Sequence, residues 1–166
     1  MIRILPQILL VAIFCLLPRI APLAQLSEYD RVQLVNERRL LMFEMQRAYW
    51  VLLDVQREKS SEFGDASDAA GKIADHVMRS VTLMEPGTAK GETPGSRARP
   101  EVWTEAGDFM LAAESLRDAA LALSQSAKTE DLAAYKVKFD GLTEACIQCH
   151  DFTPSSGGRF RFAKGE

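Results

Sequence analysis

The chain has 166 residues, 47% of them hydrophobic, which suits one domain with a packed core. Its formal net charge is −3, with no basic excess to suggest nucleic acid, a partner that selects a clustered positive surface. The opening stretch MIRILPQILLVAIFCLLPRIAPLA has a basic Arg3, an apolar run over residues 4–17, then Pro18 and small residues up to Ala24. This is the layout of a secretory signal peptide over residues 1–24, since the run is short and flanked by proline for a membrane span. An uncleaved anchor is the alternative; Pro22 stands where a small residue would mark the cut, and no lipoprotein-like signal surrounds Cys15. Cleavage would remove Arg3 and Arg19 but no acid, moving the charge from −3 to −5. It would also leave Cys146 and Cys149 as the only thiols of residues 25–166, in an exported, oxidising compartment.

Four helical patterns follow, near residues 27–60, 64–84, 101–127 and 129–150, with no strand-like alternation and no repeat. The first carries Val35, Met42, Met45, Tyr49 and Leu52 at steps of three or four, with Phe43 and Trp50 on another side. The second aligns Ala70, Ile73, Val77, Val81 and Met84. The segment EPGTAKGETPGSRARP is a loop by its prolines and glycines, and Pro100 opens the third helix. Val102, Ala106, Phe109, Ala113, Leu116, Ala120 and Leu123 face inward there. Thr129 is the expected cap of the fourth, with Glu130 and Asp131 in its first turn. That helix carries Leu132, Tyr135, Phe139 and Leu142 into Cys146, Cys149 and His150, after which the tail breaks and frays. Four such stripes are buried together in an all-α, antiparallel four-helix bundle.

The segment EACIQCHDF decides what the bundle carries. A disulfide between Cys146 and Cys149, one helical turn apart, would be strained and would close a very small loop. A thiol-exchange centre wants its pair at a helix N-terminus after a strand, not at a helix end in a strandless chain. Structural zinc wants four ligands, and beyond Cys146, Cys149 and His150 the only other histidine is the distant His76. C-x-x-C-H as covalent haem attachment meets none of these objections. Each thiol adds to one vinyl group, the adjacent imidazole ligates iron, and the ring slots between helices near one end of the bundle.

With EACIQCHDF, the loop segment LMEPGTAKGETPGSRARPEVWTEAGDF and the helix-one segment ERRLLMFEM, nearly all of residues 25–166 resembles the cytochrome c′ family. The resemblance implies a periplasmic bundle, often dimeric through its first two helices, with one covalent haem c (iron protoporphyrin) per chain. It implies Cys146 and Cys149 as thioether anchors, His150 as proximal ligand, Arg38 beside a haem propionate and Met42 on the distal face. Most members leave the sixth iron position open and bind nitric oxide or carbon monoxide; low-spin relatives fill it with a helix-one methionine and carry electrons between redox partner proteins. The family usually has an aromatic three and an arginine four residues after the histidine, whereas Phe152 and Pro154 stand here at plus two and plus four. Arg159 or Arg161 could fold back in compensation.

The plainer reading of Met42 is core packing, since methionine fills irregular gaps, and Met45 is the fallback ligand. Arg39 and Arg47 read as surface, Trp103 and Phe109 as core, and His76, with Lys72 and Arg79 on its helical face, as an exposed histidine. Phe43 and Trp50 read as apolar surface available to a second subunit. No candidate general acid or base accompanies the motif, so a non-enzymatic role is expected. A five-coordinate gas-binding or electron-carrying cytochrome is the leading expectation, a Met42-ligated electron carrier the alternative, and a structural or metal-sensing bundle the third.

Overall fold

A computed structural model describes residues 26–150 and 157–166; the expected signal peptide and Cys15, and Phe152 and Pro154 after the motif, lie outside the described residues. The elements are α1 (Glu28–Gln56), α2 (Phe63–Thr82), the one-turn α3 (Glu101–Thr104), α4 (Ala106–Ala127) and α5 (Leu132–Ile147). The four long helices form the expected bundle. Glu37 on α1 pairs with Arg79 near the end of α2, and the Ser67 and Ser124 hydroxyls bond across α2 and the end of α4. Tyr49 of α1 stacks on Phe139 of α5, and Tyr135 near the start of α5 reaches Leu52 further along α1, so neighbouring helices run antiparallel throughout. Among the described residues no helix is long and apolar enough to cross a membrane.

Small residues draw one pair of helices together. Ala66, Ala69, Ala70 and Ala74 of α2 and Ala113, Ala120 and Ala127 of α4 are all buried, and side chains this small permit close packing of helix backbones. Larger side chains complete the main core: Ile73 and Val77 of α2, Leu116 and Leu123 of α4, Met45, Leu52, Leu53 and Val55 of α1, and Tyr135, Phe139 and Leu142 of α5. The Tyr135 hydroxyl, wholly enclosed, donates to the Leu52 carbonyl at 3.0 Å.

The helix ends follow from local hydrogen bonding. Ser27 starts α1 by accepting from the Asp30 amide (3.1 Å). Thr129 does not cap the last helix: its hydroxyl donates back to the Ser126 carbonyl (2.8 Å), closing α4. Glu130 then takes a left-handed φ of 54°, and Asp131 becomes the cap, accepting from the Ala133 and Ala134 amides at 2.9 and 3.1 Å. The expected third helix breaks at Glu105 (φ −120°, ψ 42°). Its first turn is pinned when Trp103 Nε1 donates to the Met84 carbonyl (2.9 Å), while Phe109 is held by a second apolar cluster; the break leaves Ala106 exposed instead of facing inward. On α1 the buried stripe runs through Val35, Arg38, Leu41, Met45, Ala48 and Leu52, with Met42 and Tyr49 at its half-buried margin.

The loop over residues 85–99 is ordered by its own polar groups. Thr88, Thr93 and Ser96 are buried; Thr93 donates to the Gly87 carbonyl (2.7 Å) and Ser96 to the Thr88 carbonyl (2.6 Å). Gly87 and Gly95 supply the positive φ that its tight turns require (85° and 77°). Residues 157–166 of the C-terminal tail do not fray. Its RFRF alternation forms an isolated antiparallel bridge, Ala98 with Arg161, and its Phe160 is buried.

Candidate haem site

The C-x-x-C-H motif straddles the end of α5. Cys146 lies in the last turn; Gln148 is the C-cap, and Cys149 and His150 belong to the turn beyond, which places the helix end at Ile147 rather than at the expected residue 150. Helical spacing brings both thiols to the interior, but toward different neighbours. Cys146 packs on the main core, Cys149 on the smaller cluster of Ala98, Val102, Phe109, Ala112 and Phe160. Both are free thiols, and burial pushes them up to about 12 at Cys146, with the neighbouring Cys149 as a lesser cause, and to about 11 at Cys149. Neither is a thiolate near neutrality, so this pair lacks the activation that a thiol-exchange centre needs. Neutral thioethers suit the same surroundings.

Arg38, expected on a solvated or propionate-binding face, is only 5% exposed. Its guanidinium donates to Thr88 Oγ1 (2.8 Å), the Thr88 carbonyl (3.1 Å), Met84 Sδ (3.1 Å), the Leu83 carbonyl (3.4 Å) and Ser96 Oγ (3.4 Å). Desolvation lowers its pKa from the ordinary arginine value to about 10, so it stays charged at neutral pH. Every one of these acceptors is neutral, and among the described residues no carboxylate pairs with it. A buried cation without a counter-ion is a site that an anionic group would stabilise, as a haem propionate would.

Met42 is half-buried against the same core cluster that Cys146 touches, and Met45 lies within it. His76 is half-buried beside Asp75 (3.2 Å), next to a groove lined by Ser67, Lys72, Ser124 and Lys128, and none of the motif residues is among its neighbours there. Among the described residues no group of three or more histidine, cysteine, aspartate or glutamate side chains gathers to hold a metal ion. Trp103 packs at the edge of the smaller cluster and Phe109 within it. Arg159 does fold back, but onto the carboxylates of Glu105 and Asp108.

Sequence reasoning did not find Thr88, Ser96 and Met84 around Arg38, nor Gly158 and Phe160 beside the motif. Thr88 and Ser96 sit in a loop without periodicity, and Met84, which the periodic pattern assigned to the second helix, lies just past its end at Thr82. The tail's Gly157–Gly158 pair and its alternating arginines and phenylalanines were the available signal.

Comparison with known proteins agrees with this arrangement. Residues 33–152 match the family model described as Cytochrome C′. The cytochrome c′ of Rubrivivax gelatinosus is 38% identical over 90 residues, 52% of this chain and 68% of that protein. Two solved structures of the Alcaligenes xylosoxidans cytochrome c prime share the fold. A ferrous variant with bound nitric oxide gives a TM-score of 0.65 at 20% identity, covering 78% of this chain and 96% of that one. A carbon monoxide-bound variant gives 0.66 at 20% identity, covering 82% and 97%. Since the matched residues take in α1 from residue 33 through the whole C-x-x-C-H motif, the chain belongs to the cytochrome c′ family, whose members carry covalently bound haem c.

Proposed function

We propose that the protein is an exported, periplasmic mono-haem cytochrome that binds small gases such as nitric oxide or passes electrons to redox partner proteins, and is not an enzyme. Cys146 and Cys149 hold the haem through thioether bonds, His150 supplies the proximal nitrogen, and Arg38 neutralises a propionate. When bound, the haem iron supplies a place where a diatomic gas is held or an electron is taken up and released. The residues around it do the selecting. The thiols' burial keeps the ring's edge out of water, and a half-buried thioether such as Met42 offers a distal wall without charge or hydrogen-bond donors, which favours neutral diatomic ligands over anions. The observation that carries this reading is the pair of free, half-buried thiols followed directly by His150, in a bundle that buries a cation with no counter-ion among the described residues.

The test is retention of colour by the denatured polypeptide after acid–acetone extraction, together with its intact mass. One haem per chain is expected, and the double variant Cys146→Ser/Cys149→Ser should lose it. Extractable colour, or a mass equal to the bare polypeptide, overturns the assignment.

A second reading is favoured by the position of Met42 on the cluster that Cys146 touches: Met42 as sixth ligand in a low-spin electron carrier. Carbon monoxide separates the two, since an open sixth position gives a ready spectral change and a thioether-filled one resists it. A homodimer is supported by the outer face of α1, where Leu40, Phe43, Trp50 and Val51 are exposed, Phe43 and Trp50 each at 54%.

A further inference from the structure

The family match ends at residue 152, yet Gly158 and Phe160 beyond it lie on the turn that carries His150. His150 follows the end of α5 by three residues, in the turn beyond the helix. The tail lies against that turn. The Phe160 amide donates to the Cys149 carbonyl (3.1 Å), and the Gly158 backbone passes so close that a Cβ there would meet the His150 Cα at 2.4 Å. Only glycine permits that approach.

The tail is itself fixed at several other points. The Phe160 carbonyl accepts from the Arg99 amide (3.1 Å), and the Phe162 amide donates to the Arg97 carbonyl (2.9 Å). The Phe160 ring is 4% exposed and packs edge-to-face on Phe109, with ring centres 5.1 Å apart at 73°. Arg159 pairs with Glu105 and Asp108. The loop that receives the tail is tied to α1 through Arg38, Thr88 and Ser96. The turn bearing His150 is therefore braced from outside its own helix, against α4 and against the loop.

We propose that Phe160 is a positioning residue for His150: the C-terminal tail is a brace that sets the orientation of the axial imidazole. This rests on His150 being the iron ligand. The brace acts through two contacts of different kinds, an apolar anchor (the Phe160 ring) and a close backbone passage (Gly158), and each can be disturbed separately.

The experiment uses the full-length holoprotein with Phe160→Ala, Phe160→Leu and Gly158→Ala. Intact mass first establishes one covalent haem per chain in the unmodified protein; its absence would overturn the haem reading and the brace with it. The electron paramagnetic resonance g values of the ferric protein then report imidazole orientation whether or not the sixth position is filled. Phe160→Ala and Gly158→Ala should shift and broaden these values while the haem stays attached, and Phe160→Leu, which keeps an apolar anchor, should restore them towards those of the unmodified protein. A variant that merely loosened the fold would lower the urea midpoint without moving the g values. Unaltered g values in haem-loaded Phe160→Ala overturn the brace and leave the haem reading intact. Should that variant not accumulate, unaltered values in Gly158→Ala overturn it equally.

Discussion

Replacing Tyr135 with Phe removes one oxygen from the centre of the bundle and leaves its ring contacts in place. The ring lies edge-on to Phe63 (5.7 Å between centres) and near-parallel to Phe139 (6.5 Å), and both pairings survive the change. What is lost is the 3.0 Å bond to the Leu52 carbonyl, whose oxygen still serves the helical ladder of α1. The net cost at neutral pH is therefore that of one buried hydrogen bond, about 1 kcal/mol, far below the roughly 3–5 kcal/mol of deleting an aromatic ring. Alkali reverses the comparison. Burial raises the Tyr135 hydroxyl above its ordinary value of 10, so its stabilising effect is fully present below pH 10 and is lost as pH rises towards the folded-state value. While the folded protein keeps that proton, each pH unit above 10 removes about 1.4 kcal/mol from the native protein and nothing from the Phe variant. Urea unfolding of both holoproteins should show the variant's deficit at neutral pH closing near pH 11 (about one unit above the ordinary value). A deficit that stays constant between these conditions, or one at neutral pH above about 3 kcal/mol, would refute the reasoning.

Met42→Ala should leave the optical spectrum and carbon monoxide binding nearly unchanged if the sixth position is open, and should convert a low-spin spectrum to a high-spin one if Met42 fills it. Arg38→Leu removes the donors that hold Thr88 and Ser96; a loss of about 2–3 kcal/mol in urea stability is expected, with faster proteolysis confined to residues 85–99. Proteolysis unchanged in that segment would refute the anchoring role. Phe43→Asp on the outer face of α1 should convert a dimer to a monomer in analytical ultracentrifugation without altering the haem spectrum; an unchanged sedimentation coefficient would remove α1 from the interface.

The bundle was readable because four amphipathic patterns had to bury their stripes together, and the motif because two thiols and an imidazole at that spacing suit few chemistries. The margins were less readable, for identifiable reasons. Thr129 looked like a cap because its type favours that role, but its hydroxyl served the preceding helix and Asp131, which accepts two amides, took its place. The break at Glu105 depends on contacts made by Trp103 and Phe109 with distant partners, which no local pattern encodes. Arg38 resembled a surface charge because its acceptors come from a segment about fifty residues away, without periodicity of its own. Phe160 fell in a short, glycine-rich tail whose order comes entirely from what it touches.

The alanines facing one another across α2 and α4 have a consequence for the girth of the molecule. Two cylinders zipped so tightly cannot spread without opening voids, and voids in a packed interior are costly. The opposite flank, where α1 and α5 meet over a shorter stretch and the flexible Met42 and Met45 lie, is closed less tightly. The smallest side chains in the protein thereby dictate which wall of the barrel stays shut and which one yields.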